Sequence, residues 1–219
     1  KDLGKLQEAE ISIRKSIELN PNLFNSHFLL GSILLGQKKL QDAEQPLRKA
    51  IELKPDLAEA YSNLGNILKD LGKLEEVESC YSKALYLKPN FYLALKNRWQ
   101  FFFDIGKYDL ALKDADSCNT KNSRAFALES LYALGRIDEI YMRIEKTSKL
   151  DNENIRLAAF SSFIEKKENK ETSNNFCRNP LPFLHFSNLK FHLKDYDELI
   201  KKTINELSEI KTIWEPKKN

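Results

Sequence analysis

One short phrase returns along this chain at a fixed interval. Gly4-Lys5-Leu6, Lys38-Lys39-Leu40, Gly72-Lys73-Leu74 and Gly106-Lys107-Tyr108 follow one another every 34 residues. The same interval carries Ala9, Ala43, Val77 and Ala111, then Ile13, Leu47, Tyr81 and Ala115, then Pro21, Pro55 and Pro89. A period of this length narrows the fold more than composition can. Each repeat is one supersecondary unit too small to bury its own apolar face, so the units must stack on one another.

Within a period the apolar residues follow helical spacing. Leu30, Ile33 and Leu34 mark one segment and Ala43, Leu47, Ala50 and Ile51 the next, with Gly36-Gln37-Lys38 breaking the pattern between them. Each period therefore reads as a helix, a tight turn and a second helix. The stretches HFLLGSILLGQKKLQDAEQPLRKAIELKP and YSNLGNILKDLGKLEEVESCYSKALYLKP resemble the tetratricopeptide repeat. An aromatic-x-x-Leu-Gly-x-x-large pattern opens the first helix, and Ala-x-x-x-large-x-x-Ala-x-x-x-x-Pro closes the second.

The resemblance covers residues 24–91, and it implies that residues 1–23 are the second helix of a repeat whose first helix has been cut off. Residues 92–121 form a divergent copy, with Arg98-Trp99 in place of Leu-Gly and Ser123 where the closing proline would fall. ALGRIDEI at 133–140 echoes DLGKLEEV at 70–77, but only 29 residues beyond DIGKYDLA. The implied fold is all-α, a right-handed superhelical solenoid of antiparallel helix pairs. The expected organisation is an array over 1–152, a helix and polar connection over 153–182, and a capping helix or the start of a further domain over 183–219.

A solenoid of this kind binds partners on an extended inner surface lined by the first helix of each pair. Subtracting the packing positions from those helices leaves candidates for that surface. They are Asn25, Phe28 and Ser32, then Ser62, Asn63, Asn66 and Asp70, then Lys96, Asn97, Gln100 and Phe103, then Phe126, Glu129 and Tyr132. Asn63, Asn66, Lys96, Asn97, Gln100, Phe103, Glu129 and Tyr132 are the expected peptide-binding set. An asparagine amide offers an acceptor and two donors, enough for both polar groups of an extended backbone. Asn63 and Asn97 stand one period apart and resemble the asparagine ladder of the arrays in O-linked N-acetylglucosamine transferases. Ser62 and Phe126 stand where a carboxylate clamp would need basic residues, so the resemblance does not extend to that clamp.

Catalytic chemistry finds little support in the sequence. His27, His185 and His192 lie in no HxD or HExxH context, and His27 takes an aromatic packing slot. His185 and His192 with Asp195 and Asp197 read as residues around a helix start. Cys80, Cys118 and Cys177 are widely separated, without CxxC spacing, and fit a reducing cytoplasm. No Gly-rich phosphate loop or nucleophile motif occurs, so the chain reads as a non-enzyme without cofactor or metal. The 35 basic and 32 acidic residues are interleaved, which disfavours nucleic acid, and no apolar run approaches a membrane span. A protein or peptide partner is expected, and self-association through uncapped repeat ends is the alternative.

The stretch NPLPFLHFSNLKFHLKDYDELIKKTINELSEIKTIWEP, with a helix expected from about Asp195, resembles the lead-in to an iron and 2-oxoglutarate oxygenase domain that follows such arrays in some bacterial proteins. A second reading is therefore a substrate-recognition segment of a larger enzyme. A capping helix accounts for the same residues. The polar stretch 165–178 reads as an exposed connection or a disordered loop.

The RWQFFF stretch at 98–103 sharpens the packing expectation. In the 34-residue register Phe102 takes the large slot of Leu34 and Leu68. Trp99 replaces Gly31 and Gly65, and Ala115 replaces Leu47 and Tyr81, so the indole is expected over Ala115. Phe103 is expected to face the groove and Phe101 the adjoining helix or the divergent next repeat.

Overall fold

A computed structural model describes residues 2–147, 150 and 154–173 of the chain. Ten helices and no strand occur among the described residues: α1 (Asp2–Leu19), α2 (Phe24–Gly36), α3 (Leu40–Leu53), α4 (Ala58–Asp70), α5 (Leu74–Leu87), α6 (Tyr92–Asp104), α7 (Tyr108–Cys118), α8 (Lys121–Ala133), α9 (Ile137–Thr147) and α10 (Ile155–Glu168). They fall into two compact units, residues 1–123 and 124–219. The expected segment 183–219, with His185, His192, Asp195 and Asp197, lies outside the described residues, as do Cys177 and the rest of the connection beyond residue 173.

In the first unit α2 packs on α3, α4 on α5 and α6 on α7, and each pair packs on the next. The reason lies in paired sizes. A Cβ added to Gly31 would come within 2.5 Å of Leu47 Cγ, and one added to Gly65 within 2.8 Å of the Tyr81 ring. Glycine on the first helix thus makes room for a large side chain sixteen residues later on the second. In the third pair the sizes are exchanged: Trp99 is 1% exposed and Ala115 2%. The neighbouring slot changes in concert. Where the earlier pairs have Leu30 with Pro46 and Leu64 with Cys80, the third has Arg98 with Asp114, joined by bonds of 2.8 and 2.6 Å. Arg98 also donates to Ser82 Oγ of α5 at 3.1 Å, so one side chain ties α6 to both of its neighbours.

The turns repeat as faithfully as the core. Gly72, Gly106 and Gly135 have φ of 74, 77 and 70°, the left-handed region where a Cβ is strained. Lys38 holds the same place in the second-helix lead-in with φ 60°. The next residue, Lys39, Lys73 or Lys107, reaches back to Glu10, Glu44 or Glu78 of the preceding second helix at 3.0, 2.7 and 3.0 Å. These glutamates also recur every 34 residues, so the interval sets an ion-pair ladder along the stack.

Lys39 and Lys73 hold the carboxyls of Glu10 and Glu44 below their ordinary range, and Lys88 does so for Glu59. A carboxylate whose folded pKa is lowered contributes stability that is complete above its unfolded value, about 4.3 for glutamate. That contribution disappears as pH falls through the lowered folded value. Acid unfolding monitored by circular dichroism should therefore show stability falling below about pH 4.5. Glu44→Gln should be less stable than the parent at pH 7 and lose less on acidification. An equal loss in both proteins contradicts this origin.

The shortened step near residue 120 has a local cause. The second helices α3 and α5 have 14 residues, whereas α7 has 11 and stops at Asn119 in the left-handed region with φ 43°. The link from α5 to α6 is residues 88–91, four in number, and that from α7 to α8 is residues 119–120, two in number. The three residues lost from the helix and the two lost from the link account for the change from 34 to 29. The missing proline turn is replaced by a capping pair. Ser123 Oγ accepts from Thr120 N at 2.8 Å and Thr120 Oγ1 accepts from Ser123 N at 3.1 Å.

In the second unit α8 and α10 meet through Arg156, which donates to Glu129 Oε1 at 2.9 Å and lies 4.4 Å over the Phe126 ring. The polar stretch from residue 165 is more ordered than its composition implies. Its first four residues finish α10, and Thr172 then returns to donate from N and Oγ1 to Glu165 Oε1 at 2.7 and 2.6 Å. The Tyr141 hydroxyl holds the same turn through Lys170 O at 2.9 Å.

Candidate interaction surface

Helical spacing places Asn63 and Asn66 on one stripe of α4, and Lys96, Asn97 and Gln100 on the matching stripe of α6. The structure joins them across helices. Asn63 Nδ2 donates to Ser32 Oγ of α2 at 3.1 Å, and Asn97 Nδ2 donates to Asn66 Oδ1 of α4 at 2.8 Å. Ser32 and Asn66 are themselves one period apart, so the two bonds are rungs of one ladder running over the first helices. Asn66 Oδ1 accepts a second bond, 2.7 Å long, from the Tyr81 hydroxyl. Burial pushes the Tyr81 phenol well above its ordinary range, which keeps it a donor. The same tyrosine fills the space over Gly65, so the packing slot and the ladder share one side chain.

This arrangement orients the amides. Asn66 has its oxygen turned inward, while Asn63 and Asn97 commit a nitrogen and keep their oxygens for other partners. All three are half-buried. Gln100 donates to Asp104 Oδ1 at 2.7 Å on its own helix, and Lys96 is exposed. The sequence pattern gave the asparagines but not their bonds to one another. The spacing of 31 between Asn63 and Ser32, and between Asn97 and Asn66, was the available signal.

Several expected surface residues are placed elsewhere. Phe103 is only 5% exposed, with its ring 5.3 Å from Trp99 and in edge contact with Tyr108 at 5.2 Å. The bulky Trp99 and the aromatic Tyr108, which takes a leucine slot, draw it into the core, so it is not a foothold on the groove. Ser62 and Phe126 are buried too. Phe101 turns toward Tyr81 of α5, and Phe102 is core as its register requires. Glu129 and Tyr132 belong to the second unit. Burial raises the Glu129 carboxyl despite its pairing with Arg156, and Tyr132 meets Phe160 and Phe163 edge-on at 6.1 and 5.2 Å.

The remaining candidate groups carry no reactive signature. His27 Nε2 donates to Pro21 O at 2.7 Å, stapling the link before α2. Burial pushes the Cys80 and Cys118 thiols up to about 11, where the nucleophilic thiolate is scarce at neutral pH. Among the described residues no group of three or more His, Cys, Asp or Glu side chains could hold a metal, and no helix is long and apolar enough to cross a membrane.

Family models described as tetratricopeptide or TPR repeat match residues 1–23, 13–45, 31–72 and 58–91 in overlapping succession. Residues 1–91 carry tetratricopeptide repeats. Solved structures extend the likeness in fold beyond residue 91. The pilF protein of Pseudomonas aeruginosa superposes with a TM-score of 0.66 at 16% identity, covering 92% of this chain and 91% of that one. A tetratricopeptide repeat protein from Parabacteroides merdae gives 0.64 at 20% identity over 77% and 69%. YrrB, a TPR protein described as having an unusual peptide-binding site, gives 0.62 at 19% identity over 82% and 96%. No curated protein matches in sequence. An array of such repeats is a protein-protein interaction module, and α2 and α4 within the matched residues carry Ser32, Asn63 and Asn66 of the ladder.

Proposed function

We propose that the exposed face of α2, α4 and α6 holds an extended peptide segment of a partner protein, with the asparagine ladder pairing to its backbone. The observation that carries this reading is the pair of rungs from Asn63 and Asn97. They fix each amide so that Asn63 Oδ1 and Asn97 Oδ1 stand ready to accept from backbone N–H groups, while Asn66 Nδ2 can donate to a backbone carbonyl. Preorganised amides lose little rotamer freedom when a ligand arrives, which is where much binding free energy is otherwise lost. Lys96 and Gln100 flank the rungs on α6. Glu129 and Tyr132 are engaged within the second unit, which favours the α2–α4–α6 face over α8.

Replacing both rungs tests this. Asn63→Ala with Asn97→Ala should weaken partner capture in a pull-down at least tenfold. The two lost bonds are together worth about 1–3 kcal/mol of fold stability at most, so the melting temperature should fall by about 12 °C at most, at about 2–4 °C per kcal/mol. Undiminished capture by the double variant would sink the proposal.

A further inference from the structure

The 34-residue register, applied to exposed positions instead of core ones, separates the two ends of this face. Leu29 stands where Asn63 and Asn97 stand, and it is 48% exposed. Leu93, one helical turn before Asn97, stands where the earlier repeats have Asn25 and Glu59, and it is 55% exposed. Glu59 at that place is held by Lys88 at 2.9 Å, so the position serves the fold when it is charged and needs no leucine for packing. Two polar sites have thus become apolar at opposite ends of the ladder.

The charges differ between the ends as well. The helix α2 has the sequence FNSHFLLGSILLG, without a single lysine, arginine or carboxylate. On α6 Arg98 is committed to Asp114, and in the turn beyond it Lys107 is committed to Glu78. Lys96, beside Leu93 on the same stripe, is exposed and in no ion pair among the described residues. One end therefore offers leucine alone and the other offers leucine with a cation.

We propose that this face selects an extended internal segment carrying two apolar residues five or six positions apart, with an acidic residue beside the one that meets Leu93. This specificity rests on the peptide-holding reading above. The spacing follows from geometry. Leu29 and Leu93 lie on first helices two steps apart, at about 8–10 Å per packed helix, and an extended chain advances about 3.3 Å per residue. The ladder between them meets backbone only, so the intervening side chains are unrestricted. Ser62 and Phe126 are buried where a carboxylate clamp would need basic residues, so a terminal carboxylate is left unheld and an internal segment is the occupant that fits.

Fluorescence anisotropy with a labelled peptide of about 12 residues tests the inference on the full chain. The peptide is acetylated and amidated, has leucines six apart in a Gly/Ser/Asn background, and carries glutamate next to one leucine, in both chain directions. Leu29→Ser and Leu93→Ser should each weaken binding about tenfold, as expected for an apolar contact of about 1.4 kcal/mol. Lys96→Glu should reverse the preference for glutamate over lysine in the probe. Failure of the probe to bind, or binding unchanged in all three variants, overturns this specificity. If partner capture nevertheless depends on Asn63 and Asn97, the ladder reading stands without it. Loss of both effects removes the ladder reading too.

Discussion

Trp99→Gly should destabilise the first unit by about 3–5 kcal/mol, the range for deleting a fully buried tryptophan, and Ala115→Tyr in the same chain should restore most of that loss. The double variant rebuilds in the third pair what Gly65 and Tyr81 already do in the second, where the ring lies within 2.8 Å of a Cβ placed on the glycine. Taken alone, Ala115→Tyr should also be destabilising, because Trp99 already fills the space and overpacking costs about 1–3 kcal/mol. Urea unfolding of the parent, both single variants and the double variant closes the cycle. Additive losses would show that positions 99 and 115 do not share one space. The cycle also bears on function, because a tyrosine at 115 would bring a hydroxyl toward Gln100, the register equivalent of Asn66.

Asp114→Ala should have the second large effect, about 3 kcal/mol, from the low end of the range for breaking a buried ion pair. Asp114 is buried and accepts both guanidinium bonds, whereas Arg98 retains partial solvent contact that softens the loss. Arg98→Leu with Asp114→Cys recreates the Leu64 and Cys80 pair and should be close to the parent in stability. Replacing a buried pair with well-packed apolar groups is often neutral or favourable. A double variant as unstable as Asp114→Ala would mean that leucine and cysteine do not pack in the third pair as Leu64 and Cys80 do in the second. Residues 98, 99, 114 and 115 thus form one repacked unit, in which size is exchanged between positions 99 and 115 and an ion pair replaces apolar packing between 98 and 114.

Period and helical spacing make the array legible in the sequence, because size pairs such as Gly31 with Leu47 recur at fixed offsets and leave a periodic trace. The asparagines of the face were legible for the same reason. Other features left no such trace. Phe103 was read by subtraction from the packing positions, but its environment depends on Trp99 and Tyr108, both of which depart from the repeat. The ordered turn at 169–173 depends on Glu165 and Tyr141, residues whose roles arise only once the chain folds back. The ion-pair ladder of Glu10, Glu44 and Glu78 is periodic too, but glutamates are so common on helix surfaces that spacing alone does not single these out. Periodic information survives in sequence; contacts peculiar to one place in the fold do not.

The claim at the centre of this account is that a partner lies on the first-helix face of the array. Photo-crosslinking measures this directly, with p-benzoylphenylalanine placed at Lys96 on α6 or at Ser79 on α5, both exposed positions. The account predicts that partner is captured from position 96 and not from position 79, and that Asn63→Ala with Asn97→Ala abolishes the capture. Crosslinking from position 79 alone would place the partner on the second helices and contradict it.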